Sequence, residues 1–394
     1  MKRRGTAFAP FAYGFRPFFL AAGWYALAAI ATWGLLYRNG SAPFGRLPPY
    51  LWHGHEMLFG FVAAAVAGFM LTAVPSWTGK RGFSGRPLIL LFLLWLAGRA
   101  AMASAGWLPF PVLALLELAF LPALALTIAP SLLRSSTRNR PLLAVLTALW
   151  AADTVFLYGI GSGNAWLAAR ALNSALDVLL LLITVIGGRI VPAFTANALR
   201  QAGIDHPVRV RTLLERLVIA AMAMLVVAGA VLPSHWLTAA LALAAGGAHA
   251  WRMAGWQGPR TLSQPIVWVL HLAYAWLPVG LALRGIHLLT GASWAAHWTH
   301  ALGLGAAATM ILAVMTRAAL GHTGRALAVG RPIAVAYALL GLATILRVFG
   351  PATLPLAYPT VILATAALWL TAFALYAWRY TPILVRPRAD GKPG

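Results

Sequence analysis

The chain has no cysteine. Disulfides, thiolate metal ligands and a thiolate-bound haem are therefore excluded. Acidic residues are nearly as scarce: seven Asp and Glu stand against 30 Lys and Arg, for a net charge of +23. Only 9% of the 394 residues are charged, whereas soluble domains carry about 25%, so a water-soluble fold is excluded too. Long polar stretches are missing as well. The longest runs from about Ala193 to Thr212, which leaves no room for a separate soluble domain and predicts one transmembrane domain over residues 1–394.

What is present is apolar: 61% of the residues are hydrophobic, gathered in runs long enough to cross a hydrocarbon core of roughly 30 Å. The runs fall near 17–37, 54–75, 87–105, 108–133, 142–160, 167–191, 213–232, 236–255, 265–287, 295–316, 328–348 and 355–378. They are continuously apolar and rich in Ala and Leu, whereas a barrel strand alternates over about ten residues. The expected fold is an all-α, polytopic integral membrane protein of about twelve transmembrane helices. The first run lacks a small-residue cleavage site followed by a soluble chain, so it reads as a retained helix.

Cations are retained on the cytoplasmic side of short loops. With twelve spans, the side that receives both termini holds 24 cationic residues, among them Lys2, Arg3, Arg4, Arg138, Arg189, Arg209, Arg211 and Arg317; the other holds six, Arg38, Arg46, Arg99, Arg170, Arg284 and Arg347. Both termini are thus expected in the cytoplasm. Anionic inner-leaflet lipid accounts for the basic balance, and no nucleic-acid partner is needed.

Polar groups inside the spans carry the chemistry, because burying an ionisable group there costs at least about 2.5 kcal/mol. Four of the seven acids fall in spans: Glu56 near the periplasmic end of the second, and Glu117, Asp153 and Asp177 near mid-depth in the fourth, fifth and sixth. A carboxyl in apolar surroundings suits a proton path; the alternative is that each is neutral or paired with an Arg inside the bundle. Six histidines, His53, His55, His235, His287, His297 and His300, lie toward the periplasm. With cysteine absent, imidazole is the main ligand left for haem iron or copper, although a His at a helix end also serves as an interfacial residue.

At about 100° per residue, His53 and His55 point apart, whereas His53 and Glu56 share a face that continues as Gly60, Ala64 and Gly68. In the tenth span His297 and His300 lead a similar face through Gly303 and Ala307. Such stripes pack helices closely or flank a flat macrocycle. A faint echo, Pro75-Ser76-Trp77-Thr78 and Pro192-Ala193-Phe194-Thr195, is either chance or the trace of an internal repeat, as in many transporters.

The run Trp52-His53-Gly54-His55-Glu56-Met57-Leu58-Phe59-Gly60, continuing to Leu71-Thr72-Ala73-Val74-Pro75-Ser76-Trp77-Thr78-Gly79, resembles the second helix of NnrS family proteins. The resemblance extends to Gly187-Gly188-Arg189-Ile190-Val191-Pro192, to Leu270-His271 with Tyr274, Trp276, Pro278 and Gly280, and to His300-Ala301 and the stretch from Met310 to Arg325 with Met315-Thr316-Arg317 and His322. It implies a bacterial membrane protein containing haem, expected b-type, and copper, associated with nitric oxide metabolism and nitrosative stress. Within the matching segments, His53, His55, His271, His300 and His322 are the candidate metal ligands. His55 and His300, or His271 with another partner, are the candidate haem ligands. Arg189 and Arg317 are candidate propionate partners or anchors at lipid phosphate.

Nitric oxide is small, nearly apolar and soluble in bilayers, so it can reach a buried centre from the lipid. Reducing it takes electrons and protons; Glu56, Glu117, Asp153 and Asp177 are candidate proton stations, and no electron-donor site is identifiable. The leading expectation is a haem-dependent or haem-copper protein that reacts with nitric oxide, reduction being the candidate activity. The rivals are a proton-coupled transporter and a sensor or metal-supply protein without turnover.

Overall fold

The computed structural model describes residues 8–40, 45, 47–134, 139–354 and 357–392. Lys2, Arg3, Arg4, Arg46 and Arg138, used above for orientation, lie outside them. Among the described residues there is no strand, and helices occupy all twelve expected positions: α1 Phe15–Asn39, α2 Pro49–Thr78, α3 Arg86–Ala103, α4 Phe110–Leu133, α5 Pro141–Gly161, α6 Ala165–Gln201, α7 Thr212–Val231, α8 Trp236–Ala254, α9 Pro265–Thr290, α10 Ser293–His322, α11 Arg331–Thr353 and α12 Tyr358–Val385. All but α8 are long and apolar enough to cross a membrane. Helix α8 carries Gly246, Gly247, His249 and Arg252 in its 19 residues, and the polar side chains of His249 and Arg252, both buried, explain why it is less apolar than its neighbours. The protein is an all-α, multi-pass membrane protein.

Two boundaries differ from the sequence reading in informative ways. Helix α2 begins at Pro49, not 54, since a proline at the first helical position costs no backbone hydrogen bond. Helix α6 runs on through Pro192 to Gln201, so the first half of the expected polar loop is helical. Helices α2 and α10 each contain a π-helical stretch, Glu56–Val62 and Ala301–Ala308, that begins directly after a histidine, His55 and His300. Such stretches are frequent at functional sites.

The described residues form two compact units. The first comprises Met1–Leu172, Met315–Leu327 and Phe373–Gly394; the second comprises Asn173–Val314 and Ala328–Ala372. In the first, the small-residue stripe of α2 packs on α1: a Cβ at Gly60 would lie 2.4 Å from the Tyr25 ring, and one at Gly68 would lie 2.7 Å from Phe19. Close helix packing is therefore what this stripe does. The Arg16 guanidinium donates to the carbonyls of Leu384 at 2.9 Å and Arg386 at 2.6 Å, tying the start of α1 to the end of α12. Beyond α12, Arg388 donates to the His322 carbonyl at 2.8 Å and to both oxygens of Asp390, holding that carboxyl below its usual range.

In the second unit, α8 crosses α9 where Gly246 meets the Pro278 carbonyl, and α9 meets α10 where Gly280 receives Leu302 and Gly305 receives Trp276. Gly188 admits the Arg252 guanidinium so closely that a Cβ would sit 1.7 Å from Nη2, whereas one at Gly187 would make only a 3.4 Å contact with Tyr274. Gly188→Ala is therefore expected to destabilise by about 1–3 kcal/mol, as overpacking does, and Gly187→Ala to be tolerated. Thermal unfolding of the two variants in detergent checks this; equal unfolding temperatures would show that Arg252 simply moves aside.

Candidate functional site

Five helices of the first unit converge on a buried cluster of ionisable side chains. Helix α2 supplies His55 and Glu56, α3 supplies Arg99, α4 Glu117, α5 Asp153, and α1 adds Tyr25. His55 and Glu56 are fully buried, and Arg99, Glu117 and Asp153 are between 2% and 6% exposed. Arg99 is the clamp: Nη1 donates to both oxygens of Glu56 at 2.6 Å, and Nη2 donates to Glu117 Oε1. The Tyr25 hydroxyl donates to Glu56 Oε2. The His55 ring bridges the remaining acids, with Nδ1 2.8 Å from Glu56 Oε1 and Nε2 3.0 Å from Asp153 Oδ1 and 3.7 Å from Glu117 Oε1. Gly98 makes room for this arrangement, because a Cβ there would lie 2.8 Å from Glu117 Oε2.

The charges are not balanced by Arg99 alone. Three carboxylates, one guanidinium and a neutral imidazole sum to −2, and a net charge in so apolar an environment is strongly disfavoured. Two protons, or one divalent cation, bring the cluster to neutrality. The ligand atoms of His55, Glu117 and Asp153 lie within 4.8 Å of one another. Bonds of about 2.0–2.2 Å to a tetrahedral or octahedral ion place ligand atoms about 3.0–3.6 Å apart, close to the distances from His55 Nε2. Glu117 Oε2 is buried without a hydrogen-bond partner, and such an orphan acceptor points to an ion, a water or a proton. One imidazole and two carboxylates suit iron, zinc, manganese or copper(II), the last being the form of copper that takes N and O donors.

This arrangement fits an ion and not a macrocycle. Both His55 ring nitrogens face carboxylates. The ring is also packed by Phe156 at 4.6 Å and Phe59 at 5.0 Å between centroids, so no nitrogen is turned toward a haem iron.

The other candidate residues are dispersed. His53 does not join Glu56 but stacks on Trp33 at 4.7 Å. In the second unit, Asp177 pairs with Arg284 at 2.5 Å, and Arg284 lies over Trp298 at 4.7 Å. His271 Nε2 meets Thr195 Oγ1 at 2.8 Å, and its Nδ1 is buried beside Gly258 without a partner. His300 is half-buried and edge-on to His297 at 6.2 Å, while His297 accepts from Arg347. In the first unit, His322 stacks with Tyr13 at 6.2 Å. Arg189 on α6 and Arg317 on α10 are half-buried.

Residues 9–388 match the family model described as NnrS protein. The chain belongs to the NnrS family. No curated protein matches it. The match covers nearly the whole chain, including α11 and α12, where the sequence alone offered little resemblance. In this NnrS protein the HGHE run of α2 supplies two members of the buried cluster, His55 and Glu56, and the Gly-Gly-Arg run of α6 is shaped by Arg252 through Gly188. Arg99 and Tyr25 were not among the sequence candidates. The available signal for Arg99 was an arginine inside an apolar run, which reads more simply as a marker of topology. A tyrosine in a first span carries no signal.

Proposed function

We propose that this NnrS protein is a nitric oxide-reactive membrane protein of the bacterial inner membrane. Its centre is a transition-metal ion held by His55, Glu117 and Asp153, with Glu56, Arg99 and Tyr25 as the supporting hydrogen-bond network. Family membership links the chain to nitric oxide, and the observation that carries the metal assignment is the cluster's deficit of two positive charges around three mutually close ligand atoms. An ion there would supply an open coordination position for the gas. The chain's own residues do the rest. Arg99 and Tyr25 fix Glu56 in place, Glu56 orients the His55 ring through Nδ1, and the carboxyls and His55 together hold protons whenever the ion is absent. Phe59 and Phe156 pack against the ring and keep water from it.

The test is elemental analysis of the purified protein together with nitric oxide consumption by proteoliposomes supplied with a reductant. About one transition-metal ion per chain is expected, and chelation at low pH should abolish the consumption while readdition of the metal restores it. Consumption that survives complete metal removal would defeat the assignment. A visible haem band lost specifically in His55→Ala would return His55 to haem ligation.

A proton-coupled transporter is the second reading. It is favoured by one observation: the second unit also buries an acid–arginine pair, Asp177 with Arg284. Metal-dependent proton movement across sealed vesicles without nitric oxide consumption would select it.

A further inference from the structure

The second unit contains a pocket of about 200 Å³ where the segment before α7 meets the end of α8, lined by Arg209, Arg211, Glu215, Trp251, Arg252 and Trp256, among others. The backbone there is docked: the Arg209 amide donates to the Gly255 carbonyl at 2.9 Å, and Gly255 lies so close that a Cβ would meet the Arg209 carbonyl at 2.8 Å. Arg252 is fully committed within the protein. Its Nε and Nη2 donate to the two oxygens of Glu215, and Nη1 donates to the Tyr274 hydroxyl at 2.8 Å and the Thr184 carbonyl at 2.9 Å.

Arg209 and Arg211 are different. Neither guanidinium has an acidic partner among the described residues, and Arg211 lies over the Trp251 ring at 5.5 Å. Trp256, fully buried in the pocket wall, carries an indole N–H with no acceptor. Since Glu215 is neutralised by Arg252, the pocket presents two guanidinium groups without an acidic partner beside an exposed indole.

We propose that this pocket binds a phosphate group, and specifically the phosphate of an anionic phospholipid headgroup. Guanidinium groups bind phosphate oxygens through paired, charge-assisted hydrogen bonds. The pocket lies at the first turn of α7, one of the helices long and apolar enough to cross a membrane, and lipid phosphates sit at the ends of such helices. Trp251 is 59% exposed and Leu213, beside the pocket, is 70% exposed, so acyl chains have an apolar surface next to the phosphate.

Native mass spectrometry of the full chain, titrated with phosphatidylglycerol and phosphatidylcholine in matched detergent, tests this, with inorganic phosphate followed by thermal shift on the same sample. Wild type should retain phosphatidylglycerol in preference to phosphatidylcholine, and Arg209→Gln/Arg211→Gln should weaken that retention about tenfold or more. The control Arg200→Gln/Arg216→Gln makes the same charge change outside the pocket and should leave retention intact. Equal loss in both double variants would show a bulk charge effect and overturn the site. No preference between the two lipids would overturn the lipid assignment, and stabilisation by inorganic phosphate alone would assign the pocket to a free anion instead. Each variant's unfolding temperature without added lipid separates lost binding from lost folding.

Discussion

Lowering the pH by one unit is expected to weaken divalent-metal binding at His55, Glu117 and Asp153 by up to about 100-fold, because ligands must be deprotonated and binding releases their protons. The stoichiometry follows from charge. Without an ion the cluster reaches neutrality with two protons, and with a divalent cation it reaches neutrality with none, so each ion bound displaces about two. The sign is fixed as well: acid strengthens the protonated, metal-free form. Equilibrium dialysis with zinc or copper(II) across a pH series reads the slope directly, and proton release in weak buffer reads it a second way. His55→Ala removes the nitrogen ligand and should lower affinity by at least about 100-fold, since even losing a supporting partner of a ligand typically costs 10–100-fold. Glu117→Gln should flatten the pH slope toward one proton as well as weaken binding. A slope near zero, or metal content unchanged in His55→Ala, would place the ion elsewhere.

The same charge argument explains which parts of the site were legible in the sequence. Glu56, Glu117, Asp153 and Asp177 stand out in any reading because an acid in an apolar run is costly, and three of the four belong to one cluster. Their partners do not stand out. Arg99 is 43 residues from Glu56 and Arg284 is 107 from Asp177, and nothing within one sequence links residues at such separations. Both arginines read as positional charges near the far side of the membrane, whereas each is a buried partner of a carboxylate. The expectation that an intramembrane acid is paired with an arginine inside the bundle describes Glu56, Glu117 and Asp177. The helices themselves were legible because period and length are local properties. The π-helical turns were not, since a local extra residue in a helix leaves no mark on hydropathy.

Removing the clamp should have the largest effect on stability. Arg99→Ala leaves Glu56 and Glu117 facing each other's charge in an apolar interior and raises the cluster's deficit from two positive charges to three. Breaking a buried ion pair by deleting one partner typically costs about 3–5 kcal/mol, so a sharply lowered unfolding temperature and poor recovery from membranes are expected. Arg99→Lys should restore little. The guanidinium uses Nη1 for Glu56 and Nη2 for Glu117, and a single ammonium on a flexible stem does not reproduce that fork. Neutralising the stranded acids discriminates charge from packing: Arg99→Ala combined with Glu56→Gln and Glu117→Gln returns the cluster to a single carboxylate, Asp153, beside a protonatable His55. If charge is the cause, this triple variant unfolds at a higher temperature than Arg99→Ala alone, although it carries more substitutions and binds metal poorly. If Arg99 matters only as a space-filling side chain, the added substitutions will give no recovery, and Arg99→Met will be as stable as the wild type.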